Sequence, residues 1–247
     1  MNAWPYPHWI AHRGAGQLAP ENTLAAFRLG AARGYRMFEC DVKLSKDEIP
    51  FLLHDSTLER TTNGLGVAGD HDWRALSRLD AGSRHSRRYA GEPLPTLADV
   101  AEFCLRGGHS LNIEIKPTPG LEWRTGEVVA QQAARLWKGA AAPPLLSSFD
   151  VQALAGARET AVSVPRGLLL DRTWPGWLEA ALTLECVAVV CEHSLWTADA
   201  VGHAKTAGLR CLSYTVNDES SVQRLIELGT DGVITDRVDV FSPNRRW

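Results

Sequence analysis

Eight short apolar runs alternate with longer segments of helical period along 247 residues, and polar side chains collect at the ends of several runs. These observations predict an α/β fold, a TIM (β/α)8 barrel with a small insertion after the second strand. The runs are WIAH (9–12), MFECDV (37–42), LNIEI (111–115), PLLSSF (144–149), GLLL (167–170), VAVVC (187–191), RCLSYTV (210–216) and GVIT (232–235). Between them helices are expected at about 22–33, 96–106, 124–138, 149–157, 174–183, 196–207 and 218–228. Thr96, Asp150, Thr197 and Asn217 or Asp218 stand where N-caps belong, and Gly34, Gly107, Gly208 and Gly229 stand where helices stop. Strand then helix, repeated, gives a parallel sheet, and a count of eight favours closure over an open doubly wound sheet.

A barrel of this kind runs to about 250 residues as one domain, so residues 1–247 are read as a single unit. One stretch breaks the rhythm. After MFECDVKL comes KDEIPFLLHD, whose turn residues and second apolar run predict a hairpin, and a polar segment follows to about residue 93. Residues 43–93 are therefore read as the insertion.

Composition narrows the function. The chain is 45% hydrophobic and 22% charged, with a formal charge of -3 and no long basic run, so the electrostatic footprint of nucleic-acid binding is missing. Arg84, His85, Arg87 and Arg88 form one basic cluster, either a solvated loop or a patch that attracts a phosphate-bearing substrate. Five cysteines, Cys40, Cys104, Cys186, Cys191 and Cys211, lack CxxC spacing and read as small core residues of a reducing compartment. With no signal-peptide pattern and no run of 18 apolar residues, the expectation is a cytoplasmic protein without stable membrane association. The oligomeric state is not legible.

Side chains on a strand alternate between two faces, and in a barrel chemistry gathers where the strands end. Glu39 and Asp41 are two apart and share one face of their strand, against Phe38, Cys40 and Val42. Asn112, Glu114 and Lys116 likewise share a face, against Ile113 and Ile115. Both strands aim charge at the lumen, where three carboxylates repel one another unless a positive group sits between them. A hard divalent cation meets that need, Mg²⁺ or Ca²⁺ given oxygen ligands alone; a charge network with Lys116 and Arg13 is the alternative. His12 ends the first strand and His54 the hairpin run, so two imidazoles join those carboxylates as an acid/base pair. Phe149 and Tyr214, at the ends of their strands, either line a pocket or pack in the core. Trp174 and Trp177 are spaced to cover the barrel from one helix face.

HRGAGQLAPENTLAAF (12–27), ECDVKLSKDEIPFLLHD (39–55), LERTTNG (58–64), PLPTLADV (93–100), NIEIK (112–116), SSF (147–149), YTVN (214–217) and DGVITD (231–236), in this order, resemble the glycerophosphodiester phosphodiesterases. The resemblance implies His12 and His54 as acid and base, Glu39, Asp41 and Glu114 as metal ligands, and Arg13 and Lys116 as phosphate contacts. It also implies an insertion after the second strand, and a small-molecule glycerophosphodiester as substrate. Hydrolysis would give sn-glycerol 3-phosphate and an alcohol, with attack by water or by the neighbouring glycerol hydroxyl both open. Phe149 and Tyr214 would line the glycerol side. Two departures stand out: Asp47-Glu48 where the family has glycine after the aspartate, at a turn position that favours positive φ, and Tyr214 where tryptophan is common. The rival readings are a non-catalytic polyol-phosphate binder and a phospholipase-type enzyme acting on intact lipid.

Overall fold

The computed structural model describes residues 4–243. In chain order the elements are β1 (Trp9–Ala11), α1 (Leu24–Ala32), β2 (Met37–Leu44), β3 (Pro50–Leu52), α2 (Trp73–Leu76), α3 (Leu97–Gly107), β4 (Ser110–Ile115), α4 (Glu122–Leu136), β5 (Leu145–Ser148), α5 (Val151–Thr160), β6 (Arg166–Leu170), α6 (Trp177–Thr183), β7 (Ala188–Glu192), α7 (Ala198–Thr206), β8 (Arg210–Tyr214), α8 (Glu219–Glu227) and β9 (Gly232–Thr235). Each predicted apolar run carries a strand. Strand β1 pairs in parallel with β9 on one side (Ile10 with Ile234) and with β2 on the other (Ala11 with Phe38), so eight parallel strands close into a barrel. Strand β3 lies antiparallel on β2 outside that ring, as the hairpin reading required.

Alternation along the strands separates two cores. Ile10, Met37, Leu145, Leu169, Val190, Leu212 and Ile234 fill the lumen, and Tyr6 packs with them. Phe38, Cys40, Val42, Ile113 and Ile115 point the other way, into the layer shared with the helices. Each large buried side chain contributes about 1.5–3 kcal/mol. A one-residue slip in any strand exchanges the two faces, so register is strongly specified. Polar lumen positions occur on β2 and β4, beyond the apolar layer begun by Met37.

The insertion has a core of its own, built from Phe51, Leu53, Leu58, Ala68, Leu76, Ala81 and Leu94. Its polar loop is pinned by Asp80, whose carboxylate accepts from the backbone N–H groups of Gly82, Ser83 and Gly91. At the hairpin turn Glu48 has φ +60°, the left-handed conformation anticipated for this position. Its carboxylate is gripped by Arg124 of α4 at 2.8 and 2.7 Å, tying the turn to the barrel.

Helix ends follow local chemistry. Thr96, Asp150, Thr197 and Asp218 each accept a backbone N–H of the first turn, and Thr96 completes a capping box with Asp99. Helix α3 ends at Gly107, followed by Gly108 in the left-handed conformation at φ +63°. One expectation needs correction. Helix α6 begins at Trp177 because Gly176, at φ +93°, is a left-handed start; Trp174 therefore precedes the helix, although both rings pack against the core.

Helices α4 and α5 touch through glycines. A Cβ on Gly126 would lie 1.9 Å from the Ala153 carbonyl oxygen, and one on Gly156 2.3 Å from that of Trp123. In a free helix glycine to alanine gains about 1 kcal/mol, whereas forcing packed backbones apart costs about 1–3 kcal/mol. Gly126→Ala is therefore expected to lower the denaturation midpoint in urea; a stabilised variant would show that the helices separate freely.

Candidate active site

The register of β2 and β4 builds the site. Asp41 is paired with Glu114 and Glu39 with Asn112, so the carboxylates sit side by side on the lumen face at the C-terminal ends of their strands. Glu39, Asp41 and Glu114 each bring an oxygen within 4.8 Å of the others. Burial pushes the Glu39 carboxyl well above the usual range, with repulsion from Asp41 and Glu114 adding to it. Burial, then Asp41, pushes Glu114 up to about 7 against the pull of Lys116. Asp41 alone is held below its ordinary value: burial opposes its charge, but Arg13, His54, Lys116 and a hydrogen bond from Asn22 outweigh it.

Two cations approach this cluster without neutralising it. Arg13 Nε is 3.1 Å from Asp41 Oδ2, and Lys116 Nζ donates to Glu114 Oε1 at 3.0 Å. Among the described residues, Glu39 accepts a hydrogen bond only from the Arg13 backbone N–H, at 3.1 Å. Glu39 Oε1 and Asp41 Oδ1 are buried without a hydrogen-bond donor among the described residues. Three carboxylates with two buried oxygens lacking a hydrogen bond fit a hard divalent cation; in a charge network with Arg13 and Lys116 alone, Lys116 Nζ comes no nearer than 4.0 Å to Asp41 Oδ1, and Glu39 Oε1 meets neither cation.

Both histidines are oriented by carboxylates. His12, directly after β1, has Nδ1 2.6 Å from Asp236 Oδ1, and its Nε2 lies 3.7 Å from Glu39 Oε2. Asp236 directly follows β9, the neighbour of β1, and is itself held by Asn217 at 2.9 Å. His54 has Nδ1 2.7 Å from Asp55 Oδ1, and its Nε2 lies 3.3 Å from Lys116 Nζ. Burial lowers the His54 pKa. Arg60 grips Asp55 and Glu21 together, and Glu21 also accepts from Arg13 at 3.0 Å, so an ionic chain runs around the mouth from His54 to Arg13, the residue after His12.

Phe149 and Tyr214 meet edge to face, ring centroids 5.8 Å apart, and Lys116 Nζ stands 5.9 Å over the Phe149 ring. Phe149 is exposed, so it lines the mouth rather than the core; Tyr214 is half-buried and donates to the Leu170 carbonyl.

The family model of the glycerophosphoryl diester phosphodiesterase family matches residues 12–240. The chain belongs to that family. It is 32% identical to a glycerophosphodiester phosphodiesterase of Caldanaerobacter subterraneus over 92% of this chain and 93% of the relative. Its fold matches a phosphodiesterase of Oleispira antarctica solved in complex with the product sn-glycerol-3-phosphate, with a TM-score of 0.87, 36% identity, and coverage of 94% of this chain and 93% of that one. A glycerophosphodiester phosphodiesterase from Agrobacterium tumefaciens matches with a TM-score of 0.78 at 27% identity, covering 96% of this chain and 99% of that one. Family membership makes the chain a phosphoric diester hydrolase.

All nine residues singled out in the sequence fall at this one end of the barrel. Sequence reasoning gave no role to Asp236, Asn22, Glu21, Arg60 or Lys43. Asp236 was findable, since it ends the last strand as His12 ends the first. Lys43 continues the period-two face of Glu39 and Asp41; it is buried, and burial followed by Lys116 brings its pKa down to about 8. Asn22 carries no such signal. It holds φ +59° so that its side chain both accepts from the Asp41 N–H and donates to the Asp41 carboxylate.

In chelator the repulsion has a sign that can be checked. Glu114 binds a proton more readily folded than unfolded, so its charge weakens the fold above about pH 7, and that loss is relieved as pH falls toward its unfolded value. Wild type should gain stability relative to Glu114→Gln between pH 8 and about pH 5, followed by urea unfolding. Relative loss of wild-type stability over that window would contradict the clustered-carboxylate account.

Proposed function

We propose that this chain hydrolyses glycerophosphodiesters, such as glycerophosphocholine and glycerophosphoethanolamine, to sn-glycerol 3-phosphate and an alcohol, using Mg²⁺ or Ca²⁺ in the cytoplasm. Residues 1–247 act as one domain, with 43–93 as its insertion; residues 1–3 and 244–247 lie outside the described residues. The observation that carries the reading is the convergence of two carboxylate-oriented histidines on one cluster of three carboxylates, in a chain of this family. Among the described residues no helix is long and apolar enough to cross a membrane, and all five cysteines are free and buried, which supports the intracellular part of the reading.

Glu39, Asp41 and Glu114 would hold the cation, which when bound supplies Lewis-acid stabilisation of charge on a phosphoryl oxygen, on the order of several kcal/mol. Arg13 and Lys116 bind the anionic phosphate beside them. The two histidines divide the proton transfers. Lys116 is an ammonium, whose pKa Glu114 and Asp41 raise despite burial, and an ammonium only donates; His54 Nε2 therefore faces it as an unprotonated acceptor, while Nδ1–H is given to Asp55. That is the state of a general base for the attacking oxygen. His12 gives Nδ1–H to Asp236 and presents Nε2 to the leaving oxygen as general acid.

A second reading, hydrolysis of intact lipid at a membrane surface, draws on exposed Leu121, Trp123, Phe149 and Val151, which lie where α4 and α5 begin at the same barrel end. Cosedimentation with phosphatidylcholine vesicles and release of their headgroup would favour it. Activity confined to the soluble diester favours the first.

Release of glycerol 3-phosphate, coupled to its dehydrogenase, should vanish in chelator and return with Mg²⁺ or Ca²⁺. His12→Ala and His54→Ala should each cut turnover by about a hundredfold or more. Near-normal turnover in either variant removes that residue from its role, and turnover that survives chelation removes the cation.

A further inference from the structure

Beside His12 the catalytic face opens into a cavity of about 460 Å³, walled by Gly16, Gln17, Glu21, His85 and Asp236, within the size range of small-molecule sites. A smaller cavity of about 170 Å³, bordered by Arg60 and Arg84, shares Glu21 and His85 with it, so the two are neighbours. The outer wall is fixed to the barrel: His85 Nε2–H donates to the Gln17 carbonyl at 3.0 Å, and Arg84 Nε donates to the Thr62 carbonyl at 3.0 Å.

Charge along this wall is unequal. Glu21 is consumed by Arg60 and Arg13, and Asp236 by His12 and Asn217. Arg84, in contrast, makes no ion pair with a carboxylate among the described residues, which leaves its terminal nitrogens free above the smaller cavity. Exposed Arg87 and Arg88 follow close behind. Arg84 thus brings to the smaller cavity a guanidinium that spends only one nitrogen on the fold.

We propose that these neighbouring cavities hold the alcohol half of the diester, and that Arg84 selects alcohols carrying negative charge, a further phosphate or a carboxylate. The inference rests on the catalytic reading above, because it follows from where His12 stands. A general acid on one wall of a cavity protonates the oxygen whose alcohol fills that cavity, and the glycerol arm then lies toward Phe149 and Tyr214. A guanidinium at the far end rewards an anionic alcohol and penalises a trimethylammonium.

The test compares four diesters at fixed ionic strength: glycerophosphocholine, glycerophosphoglycerol, glycerophosphoglycerol bearing a terminal phosphate, and glycerophosphoglycerate. Wild type should favour the two anionic alcohols over choline by about tenfold or more in kcat/KM, chiefly through KM, and this preference should fade as salt is raised. Arg84→Glu should invert the order, raising kcat/KM for choline while lowering it for both anions. Arg84→Lys should keep the wild-type order. Misfolding lowers all four together and cannot produce inversion, and the wild-type salt series reads the same preference with no variant at all. Equal or better use of choline by wild type, or a salt-insensitive ratio, overturns the subsite. A terminal phosphate preferred over a carboxylate, or the reverse, identifies which anion the guanidinium was shaped for. If wild type turns over none of the four with metal present, the catalytic reading itself fails and the subsite falls with it.

Discussion

Mutual repulsion among Glu39, Asp41 and Glu114 is the constraint around which the catalytic end is arranged. Parallel register sets Asp41 beside Glu114, and strand alternation turns Glu39 to the same lumen. Burial then denies the carboxylates water, so charge there is held by whatever can be brought close. Arg13 and Lys116 are brought in from the strand ends, Asn22 adopts a left-handed backbone to reach Asp41, and two oxygens still lack donors. The apolar lumen below and the helix layer around it are the packed cores against which that repulsion is held.

From that cluster the surrounding chemistry follows outward. Each imidazole is held at Nδ1 by an aspartate, leaving Nε2 toward the carboxylates and the cations that serve them. The second ring of charges, Glu21 with Arg60 and Asp55, links barrel and insertion, so the insertion is coupled to the site as well as packed beside it. Partner aspartates of this kind fix tautomer and ring orientation.

Most of the fold was legible because strand and helix periods differ and because barrel strands buried on both faces read as short apolar runs. The lumen carboxylates were legible for the same reason: a charge at every second position of an apolar strand has only one face to occupy. The start of α6 was placed too early because Trp174 and Trp177 share helical spacing, whereas the left-handed backbone at Gly176 lets the helix begin only at Trp177. Asn22, Glu21 and Arg60 escaped because their roles depend on loops that meet only after the barrel closes. Asp236 was nearer to reach, being the last strand's counterpart of His12. Phe149 could not be divided between rim and core by pattern alone, since both environments accept an aromatic ring at a strand end.

The central claim is that the three carboxylates are a cation site. Calorimetric titration of Mg²⁺ and Ca²⁺ into metal-free protein near pH 6, in buffers of different ionisation enthalpy, tests it most directly. Because Glu39 and Glu114 hold protons more tightly than ordinary carboxylates, binding should occur at one site with release of protons, and both signals should disappear in a Glu39→Gln, Glu114→Gln protein. Binding that persists in that variant, or binding to wild type with no proton released, would contradict it.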